Sequence, residues 1–475
     1  MRKLALAVLF VPLLAGAARA DGTPWGVATF AGGETAELTR VNELGEAVLT
    51  DDDLDGKTLT GIKFLGDTSV ASIVLTDQAV RFSGNCLLTI SELSSAFVLT
   101  GGNWTFDGLA FVGNGQVPKD LTPIAHEGGA INACGGKLTI TDCAFTNCAA
   151  RFSGGAVNAL EMLGDVVVSN CTFFGNQTGA VNGSGGAIYA SGATDGLVLR
   201  VTDCRFERNG AQNGGAISTR HTTTDAEKPM RLEILKGNAF DENEADYEGG
   251  AVFAGGAVSV VGPDVLFRDN SAGDVGGALG LNGVPGSVAP VAVTISNGVT
   301  FADNTVSCDD VPGNNGWTAG GAIGIMIGGC VLDVDGAIFT NNVAETSRNG
   351  QPAFGGAIYT TEGVTNVFRR TAFFDNDATS GKVWCYGGAV SVEGGRTTVD
   401  TCVFDYGGKQ NAKAYGNAID FNGTDVSILN STFRRGKVEA ISAYNSPIAM
   451  TNCVVVGNGA AGDLYIEGQT VVSMA

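Results

Sequence analysis

The stretch Phe206-Glu207-Arg208-Asn209, followed after a short spacer by Gly214-Gly215-Ala216-Ile217, holds the pattern that decides the fold of this chain. Its two halves, Phe-x-x-Asn and Gly-Gly-Ala followed by Ile, Val or Leu, alternate through most of the sequence. Between residues 111 and 404, successive phenylalanines lie 27 to 38 residues apart. A period of this size indicates a chain of stacked structural units.

Copies of both halves are numerous. The Phe-x-x-Asn half begins at Phe111, Phe173, Phe206, Phe240, Phe267, Phe301, Phe339 and Phe373. The glycine pair begins at Gly128, Gly154, Gly185, Gly214, Gly249, Gly276, Gly320, Gly355 and Gly387, and weaker copies stand at Phe145, Phe404, Phe433 and Gly416. Because stacked units share one continuous core, the repeat overrides the several domains that 475 residues would otherwise suggest.

The residues after each glycine pair alternate between apolar and variable types. In the copy that starts at Gly387, for example, Val390 and Val392 flank Ser391. A period of two is typical of a β-strand with one buried face, and a second strand-like run precedes each phenylalanine. Two or three short strands per repeat predict one coil of a β-helix, with like residues stacked over like.

Each motif residue has a structural role in such a stack. The phenylalanine points inward onto its counterpart in the next coil, and the asparagine closes a turn, tolerates the left-handed conformation and bonds to the next asparagine. The glycine pair permits positive φ at a tight corner. The predicted structural ladders comprise Phe173, Phe206, Phe240, Phe267, Phe301, Phe339 and Phe373, with Asn176, Asn209, Asn243, Asn270, Asn304, Asn342 and Asn376.

With these motifs, residues 111–419 resemble the repeats of the polymorphic outer membrane proteins of chlamydiae. That resemblance implies a right-handed parallel β-helix of the passenger type and suggests adhesion. Proteins of that family also carry a membrane β-barrel, which the pattern up to Ala475 does not predict, so we expect the passenger fold without self-anchoring.

We therefore predict an all-β fold, a right-handed parallel β-helix (solenoid) of about 11 to 13 coils, roughly 50–60 Å long at strand spacing. Residues 21–100 lack the motif but contain strand-like runs, and we predict that they form an N-terminal cap and the first coils. Residues 101–475 form the repeated β-helix. A cap is needed because the end of a solenoid exposes strand edges and core.

Residues 1–20 are typical of a secretory signal peptide. Arg2 and Lys3 precede the apolar run 4–14, and Ala18-Arg19-Ala20 forms an A-x-A cleavage site. We predict a secreted or cell-surface protein, with outer-membrane association included, and no membrane-spanning segment in the mature chain.

The net charge of −21 argues against binding to nucleic acid or to anionic lipid. The cysteines Cys143, Cys171, Cys204 and Cys402 each stand two residues before a repeat phenylalanine. The favoured interpretation is a column of buried free thiols, and disulfides between adjacent coils are the alternative. Because there is no Cys-x-x-Cys pair and only two histidines, His126 and His221, we predict no metal site and no cofactor.

The long segments between asparagine and glycine pair lie on one edge of the predicted stack. They place four aromatic residues just ahead of the glycines, and these form our candidate ligand-binding strip: Trp317, Phe354, Trp384 and Tyr386. The alternative is that these rings fold over the loops and cover the edge.

The outward positions of the predicted strands are mostly neutral. Glu393 and Asp420 come from neighbouring coils, and we interpret both as solvated surface charges without a catalytic role. A face of this kind favours binding over bond cleavage, so we identify no catalytic residue and predict that the protein is more likely not an enzyme.

The favoured function is that of an adhesin-like protein that binds a host or environmental glycan or a surface protein along its elongated surface. One alternative is a carbohydrate-active enzyme, a polysaccharide lyase or glycosidase, on the same scaffold. Another alternative is a structural spacer. The fold alone does not decide between them.

Overall fold

The computed structural model describes most of the chain after the predicted signal peptide. The described residues are 22–90, 95–116, 128–179, 183–219, 228–256, 259–283, 290–308, 317–346, 351–380, 384–406, 414–458, 462–468 and 472–474. Residues 1–20, His126 and His221 lie outside them. Within the described ranges the chain is a right-handed parallel β-helix, as the repeat predicts, and 44 strands join into one continuous sheet that winds around the core.

The sheet has three faces, each made of strands that pair in parallel with the same strand of the next coil. The first face, after the glycine pairs, consists of Ala47–Thr50, Thr68–Thr76, Phe97–Thr100, Ile131–Cys134, Val157–Met162, Ile188–Gly192, Ile217–Ser218, Val252–Gly255, Leu279–Asn282, Ile323–Ile327, Ile358–Thr360, Val390–Glu393, Ile419–Asn422, Ile441–Tyr444 and Leu464–Glu467. The second face consists of Lys137–Thr141, Val166–Ser169, Val198–Thr202, Arg231–Ile234, Ser259–Val261, Val291–Ile295, Cys330–Asp335, Val364–Arg369, Arg396–Asp400, Asp425–Leu429, Ile448–Thr451 and Val472–Met474. The third face consists of Ala144–Thr146, Thr172–Phe174, Arg205–Glu207, Ala239–Asp241, Leu266–Arg268, Thr300–Ala302, Ile338–Thr340, Ala372–Phe374, Val403–Asp405, Thr432–Arg434 and Val454–Val456.

Shorter strands complete each coil between the asparagine and the next glycine pair. One row consists of Ala149–Ala150, Gln177–Thr178, Gly210–Asn213, Glu244–Glu248, Ser271–Ala272, Thr305–Ser307, Val343–Thr346 and Asp377–Ser380. A second row, which we call the aromatic edge, consists of Thr318–Ala319, Ala353–Phe354, Cys385–Tyr386 and Ala414–Tyr415.

The repeat phenylalanines lie at the centre of the core. From Phe111 to Phe433, rings in successive coils are 4.6 to 5.0 Å apart between centroids, with interplanar angles of 10° or less. Each ring is fully buried. The spacing equals that of hydrogen-bonded strands, so the parallel pairing brings ring onto ring.

The asparagines form a second, polar column inside the corner. Asn209 Nδ2 donates to Asn243 Oδ1 at 2.9 Å, and the same geometry recurs from Asn176 to Asn376. The amide also donates to the carbonyl of a phenylalanine in the previous coil, as from Asn209 to Phe173 at 3.0 Å. The left-handed conformation that we expected at the asparagine belongs instead to the residue before it, for example Arg208 at φ 55°, because the asparagine amide is engaged inside the corner.

The glycine pair makes the opposite corner. In the copy at Gly214 the first glycine has φ 64°. The second, Gly215, lies so close to the next coil that an added Cβ would stand 2.1 Å from the carbonyl oxygen of Gly250. The first glycine is therefore required by its dihedral angle and the second by the close approach of two coils.

The first residues of the described chain close one end of the stack. Gly26–Phe30 pairs antiparallel with Thr35–Leu38 and with Leu59–Phe64, and a 3-10 turn follows at Asp51–Leu54. Long strands, Thr68–Thr76 and Ala79–Ile90, then pair in parallel with the coils that follow. The parallel pairing of the coils gives way to antiparallel pairing at this end of the described chain.

The cysteines of the predicted column, Cys143, Cys171, Cys204 and Cys402, are buried free thiols, as the favoured interpretation predicted. Cys143, Cys171 and Cys204 stand in successive coils, and the backbone N–H of Cys143 donates to Cys171 Sγ at 3.4 Å. Burial raises the pKa of Cys402 to about 12, so that thiol stays protonated and unreactive at neutral pH.

Candidate functional site

The aromatic edge stacks three rings along the axis of the solenoid. Ala319, Phe354, Tyr386 and Tyr415 pair in register, each directly ahead of the first glycine of its pair. The ring centroids of Phe354 and Tyr386 are 5.2 Å apart, and those of Tyr386 and Tyr415 are 5.6 Å apart. The rings are therefore stacked face to face, and all three residues are partly buried.

A small second core fixes the direction of these rings. Ala353 and Cys385, which precede the aromatic residues, are fully buried with Ala344 and Ala378. Since neighbouring residues in a strand point to opposite sides, the burial of Ala353 and Cys385 turns Phe354 and Tyr386 toward the first face of the sheet.

The third residue after the glycine pair, which we call the outward position, is buried in the copies from Gly154 to Gly387, contrary to our expectation of a solvent-facing column. An added Cβ at Gly324 would stand 2.1 Å from Cγ1 of Val275, the residue ahead of Gly276 in the previous coil. The residue before one glycine pair thus covers the outward position of the next coil. The buried outward positions are Asn158, Tyr189, Ser218, Phe253, Tyr359, Ser391, Asp420 and Ser442.

Asp420 is the charged member of that column, and our interpretation of it as a solvated surface charge is wrong. It is only 7% exposed and pairs in register with Ser391 and Ser442 of the neighbouring coils. The pKa of Asp420 is raised to about 7, chiefly by burial; a hydrogen bond with Ser442 lowers it, and the charges of Glu393 and Glu439 contribute to the rise. At neutral pH this carboxyl group is therefore close to half protonated.

Glu393 is the second carboxylate at this place and is partly exposed. The hydroxyl of the buried Tyr359 donates to Glu393 Oε2 at 3.0 Å. Burial, and then the charge of Glu393, raise the pKa of Tyr359, so its hydroxyl stays protonated and remains a donor. The two carboxyl groups come from adjacent strands, Val390–Glu393 and Ile419–Asn422.

The aromatic edge and the first face together form an open cleft of about 420 Å³. Its lining combines aromatic rings, carboxylates and neutral polar groups, which is the composition of a ligand-binding cleft. The lining residues are Pro352, Phe354, Tyr386, Glu393, Tyr415, Asp420, Asn422, Ser442, Tyr444, Tyr465 and Glu467.

The four predicted strip residues have different positions. Phe354 and Tyr386 line the cleft. Trp384 is 55% exposed, and its ring lies 4.9 Å from that of Tyr415. Trp317 is partly buried, with its ring edge-on to Phe354 at 6.1 Å, so it supports the first ring of the stack.

Sequence reasoning missed several residues of the cleft. Tyr415 stands directly before Gly416 as Tyr386 stands before Gly387, and this shared offset could have identified it. Tyr444 and Tyr465 occur where the glycine motif has decayed, and only pairing in the structure aligns them with the earlier coils.

Comparison with known proteins identifies the repeat. The family model for the Chlamydia polymorphic membrane protein repeat matches residues 170–191 and 336–361. A curated relative, the probable outer membrane protein PmpD of Chlamydia trachomatis serovar D, is 27% identical over 368 residues, which is 64% of this chain and 22% of that protein. Two segments of the chain therefore match this repeat. The chain spans about a fifth of the length of that relative.

Among solved structures, two mutants of the tailspike protein of E. coli bacteriophage HK620 are similar to the chain of repeats, each in complex with a pentasaccharide. One has a TM-score of 0.39 and 14% identity, and the other has a TM-score of 0.38 and 13% identity. Both comparisons cover 90% of this chain and 74% of the tailspike chain.

Two further findings concern the described residues only. No helix there is long and apolar enough to cross a bilayer. No group of three or more His, Cys, Asp or Glu side chains there is arranged to hold a metal ion.

Proposed function

We propose that this protein is an adhesin-like surface protein that binds a glycan or a protein at the cleft beside the aromatic edge. One observation carries the proposal: the strongly exposed aromatic side chains of the described chain are concentrated there. They are Trp384, Tyr444 and Tyr465, exposed by 55%, 48% and 39%.

This concentration favours a binding surface because large aromatic side chains contribute much of the energy of recognition. Other strongly exposed apolar side chains include Leu44 and Leu163, which lie outside the cleft lining, and Val454 and Val456, which share one short strand without an exposed aromatic ring. The rings of Tyr415 and Tyr465 lie 5.4 Å apart, which joins the exposed residues to the stacked ones.

The test compares the protein with a Trp384→Ala/Tyr465→Ala variant on a glycan array and on immobilised surface proteins. We expect at least tenfold weaker binding, because the rings supply exposed contact area without supporting the core. A Leu44→Ala/Leu163→Ala variant is the matched control and should bind normally. Equal binding by the aromatic variant, with an unchanged melting temperature, would exclude the cleft.

A carbohydrate-active enzyme is the second candidate, and one observation favours it. Asp420 has its pKa raised to about 7 beside Glu393, and glycoside hydrolysis uses one protonated and one ionised carboxyl group across the scissile bond. New reducing ends from glycans bound on the array, lost in Asp420→Asn, would support this candidate. If the protein shows neither binding nor cleavage, the role of a structural spacer remains.

A further inference from the structure

Two of the carboxylates that line the cleft are Glu393 and Asp420, and the lining residues that the structure describes include no Lys, Arg or His to balance their charge. The charged and titratable groups that face Asp420 are Glu393, Glu439 and Tyr386, all of them acidic.

Several acidic residues elsewhere on the sheet faces lie beside an arginine side chain. Arg200 Nε lies 2.8 Å from Glu233, and Arg369 Nη1 lies 2.7 Å from Asp333 in the neighbouring coil. Even Asp405, whose side chain is 2% exposed, forms an ion pair with Arg434, with 2.9 Å between Asp405 Oδ2 and Arg434 Nη2. In these three cases an arginine from a neighbouring coil lies beside the carboxylate, and the described lining of the cleft departs from this arrangement.

We propose that the cleft binds the ammonium group of a lysine side chain on a partner protein, an inference that rests on the proposed function and specifies its ligand. The ammonium group would supply the positive charge that Asp420 and Glu393 lack. It has three N–H donors, and the carboxylates and the Ser442 hydroxyl provide acceptors on the same wall of the cleft.

The aromatic wall suits the rest of that side chain. A lysine has four methylene groups that pack on apolar surface while the charged end reaches polar groups. Phe354, Tyr386 and Tyr415 line the same cleft and offer such a surface, and the exposed Trp384 and Tyr465 lie beside Tyr415. An acidic partner is disfavoured both by the cleft and by the net charge of −21.

The experiment titrates the full chain with short peptides that differ in one side chain. The probes are acetyl-Gly-Lys-Gly-amide, its norleucine analogue, which keeps the methylene groups without the charge, and its Nε-acetyl-lysine analogue. We expect only the lysine peptide to bind measurably, with the other two at least tenfold weaker. Equal binding of the norleucine peptide would overturn the proposal.

Matched variants of the protein test whether the lysine peptide binds at this cleft. Asp420→Asn should weaken binding of the lysine peptide at least tenfold, and Glu393→Gln should weaken it as well. Asp425→Asn removes the same charge at an exposed position on the second face and should leave binding unchanged. Normal binding by Asp420→Asn would overturn the proposal.

The pH dependence of the affinity for the lysine peptide is an independent test of the role of Asp420. Since Asp420 must ionise to receive a cation and its pKa in the free protein is about 7, affinity should fall about tenfold per pH unit below 7 and level off above it. This dependence should vanish in Asp420→Asn, and a persistent one would contradict the assignment.

A glucosamine oligomer tests the other source of an ammonium group. Binding of that oligomer without binding of the lysine peptide would overturn the protein partner and leave the adhesin function intact. If no ammonium probe binds while Trp384→Ala/Tyr465→Ala still loses its binding partners on the arrays, the lysine inference alone fails.

Discussion

At the scale of the residue, the asparagine ladder satisfies the polar groups of a buried corner. Asn243 donates its Nδ2 to Phe206 O and to Asn270 Oδ1, at 3.1 and 2.9 Å. Its own Oδ1 accepts from both the backbone and the side chain of Asn209. Asparagine provides donors and an acceptor on one short side chain, and no aspartate or leucine can replace both.

We predict that Asn243→Ala lowers the free energy of unfolding by about 2–4 kcal/mol, because several buried groups lose their partners at once. Asn103→Ala, an exposed asparagine at a strand terminus, should change it by less than about 0.5 kcal/mol. Chemical denaturation monitored by circular dichroism measures both. Similar values for the two variants would show that the ladder contributes little.

At the scale of the element, each coil is defined by its two corners. At the glycine corner the coils lie so close together that the backbone of one coil occupies the space that a side chain on the second glycine of the neighbouring coil would need. Gly210 and Gly215 illustrate the difference, because both lie in the same coil and both have ordinary negative-φ conformations. An added Cβ at Gly210 meets nothing within 4 Å, whereas at Gly215 it meets Gly250 O at 2.1 Å and Glu244 O at 2.4 Å.

We therefore predict opposite outcomes for the same substitution. Gly215→Ala should destabilise the protein by about 3 kcal/mol, because two coils must separate to admit one methyl group. Gly210→Ala should be neutral or stabilising by up to about 1 kcal/mol, because it reduces the freedom of the unfolded chain. Melting temperatures of the purified variants measure both effects, and equal shifts would refute the close-approach explanation.

The sequence was sufficient to predict the strands, but it was not sufficient to predict which residues form the candidate site. Strand Phe97–Thr100 lies within residues 21–100, where we predicted strand-like runs, because the alternation of apolar residues is local information. The burial of Asp420 was missed because its cover, Tyr386, comes from the previous coil after a segment of variable length. Periodicity tells which residues face inward, but it does not tell which outward residues lie beneath an edge.

At the scale of the whole molecule, each coil contacts the coil before it and the coil after it. Phe240 shows this arrangement, with Phe206 and Phe267 each 4.8 Å away between ring centroids. One hydrophobic core nevertheless runs from Trp25 to Met450. In such a quasi-one-dimensional structure the stability is a sum of coil and neighbour contributions, so a local defect has a local range.

We predict that Phe240→Ala removes about 3–5 kcal/mol of stabilisation and that the loss concentrates in the adjacent coils. Hydrogen exchange should accelerate at Arg205–Glu207, Ala239–Asp241 and Leu266–Arg268 and stay unchanged at Val403–Asp405, because no contact of Phe240 extends that far. Phe433→Ala is the reciprocal control and should accelerate exchange at Val403–Asp405 while the central strands keep their protection. Uniform acceleration along the chain in both variants would mean that all coils unfold as one cooperative unit, and coupling would then extend beyond nearest neighbours.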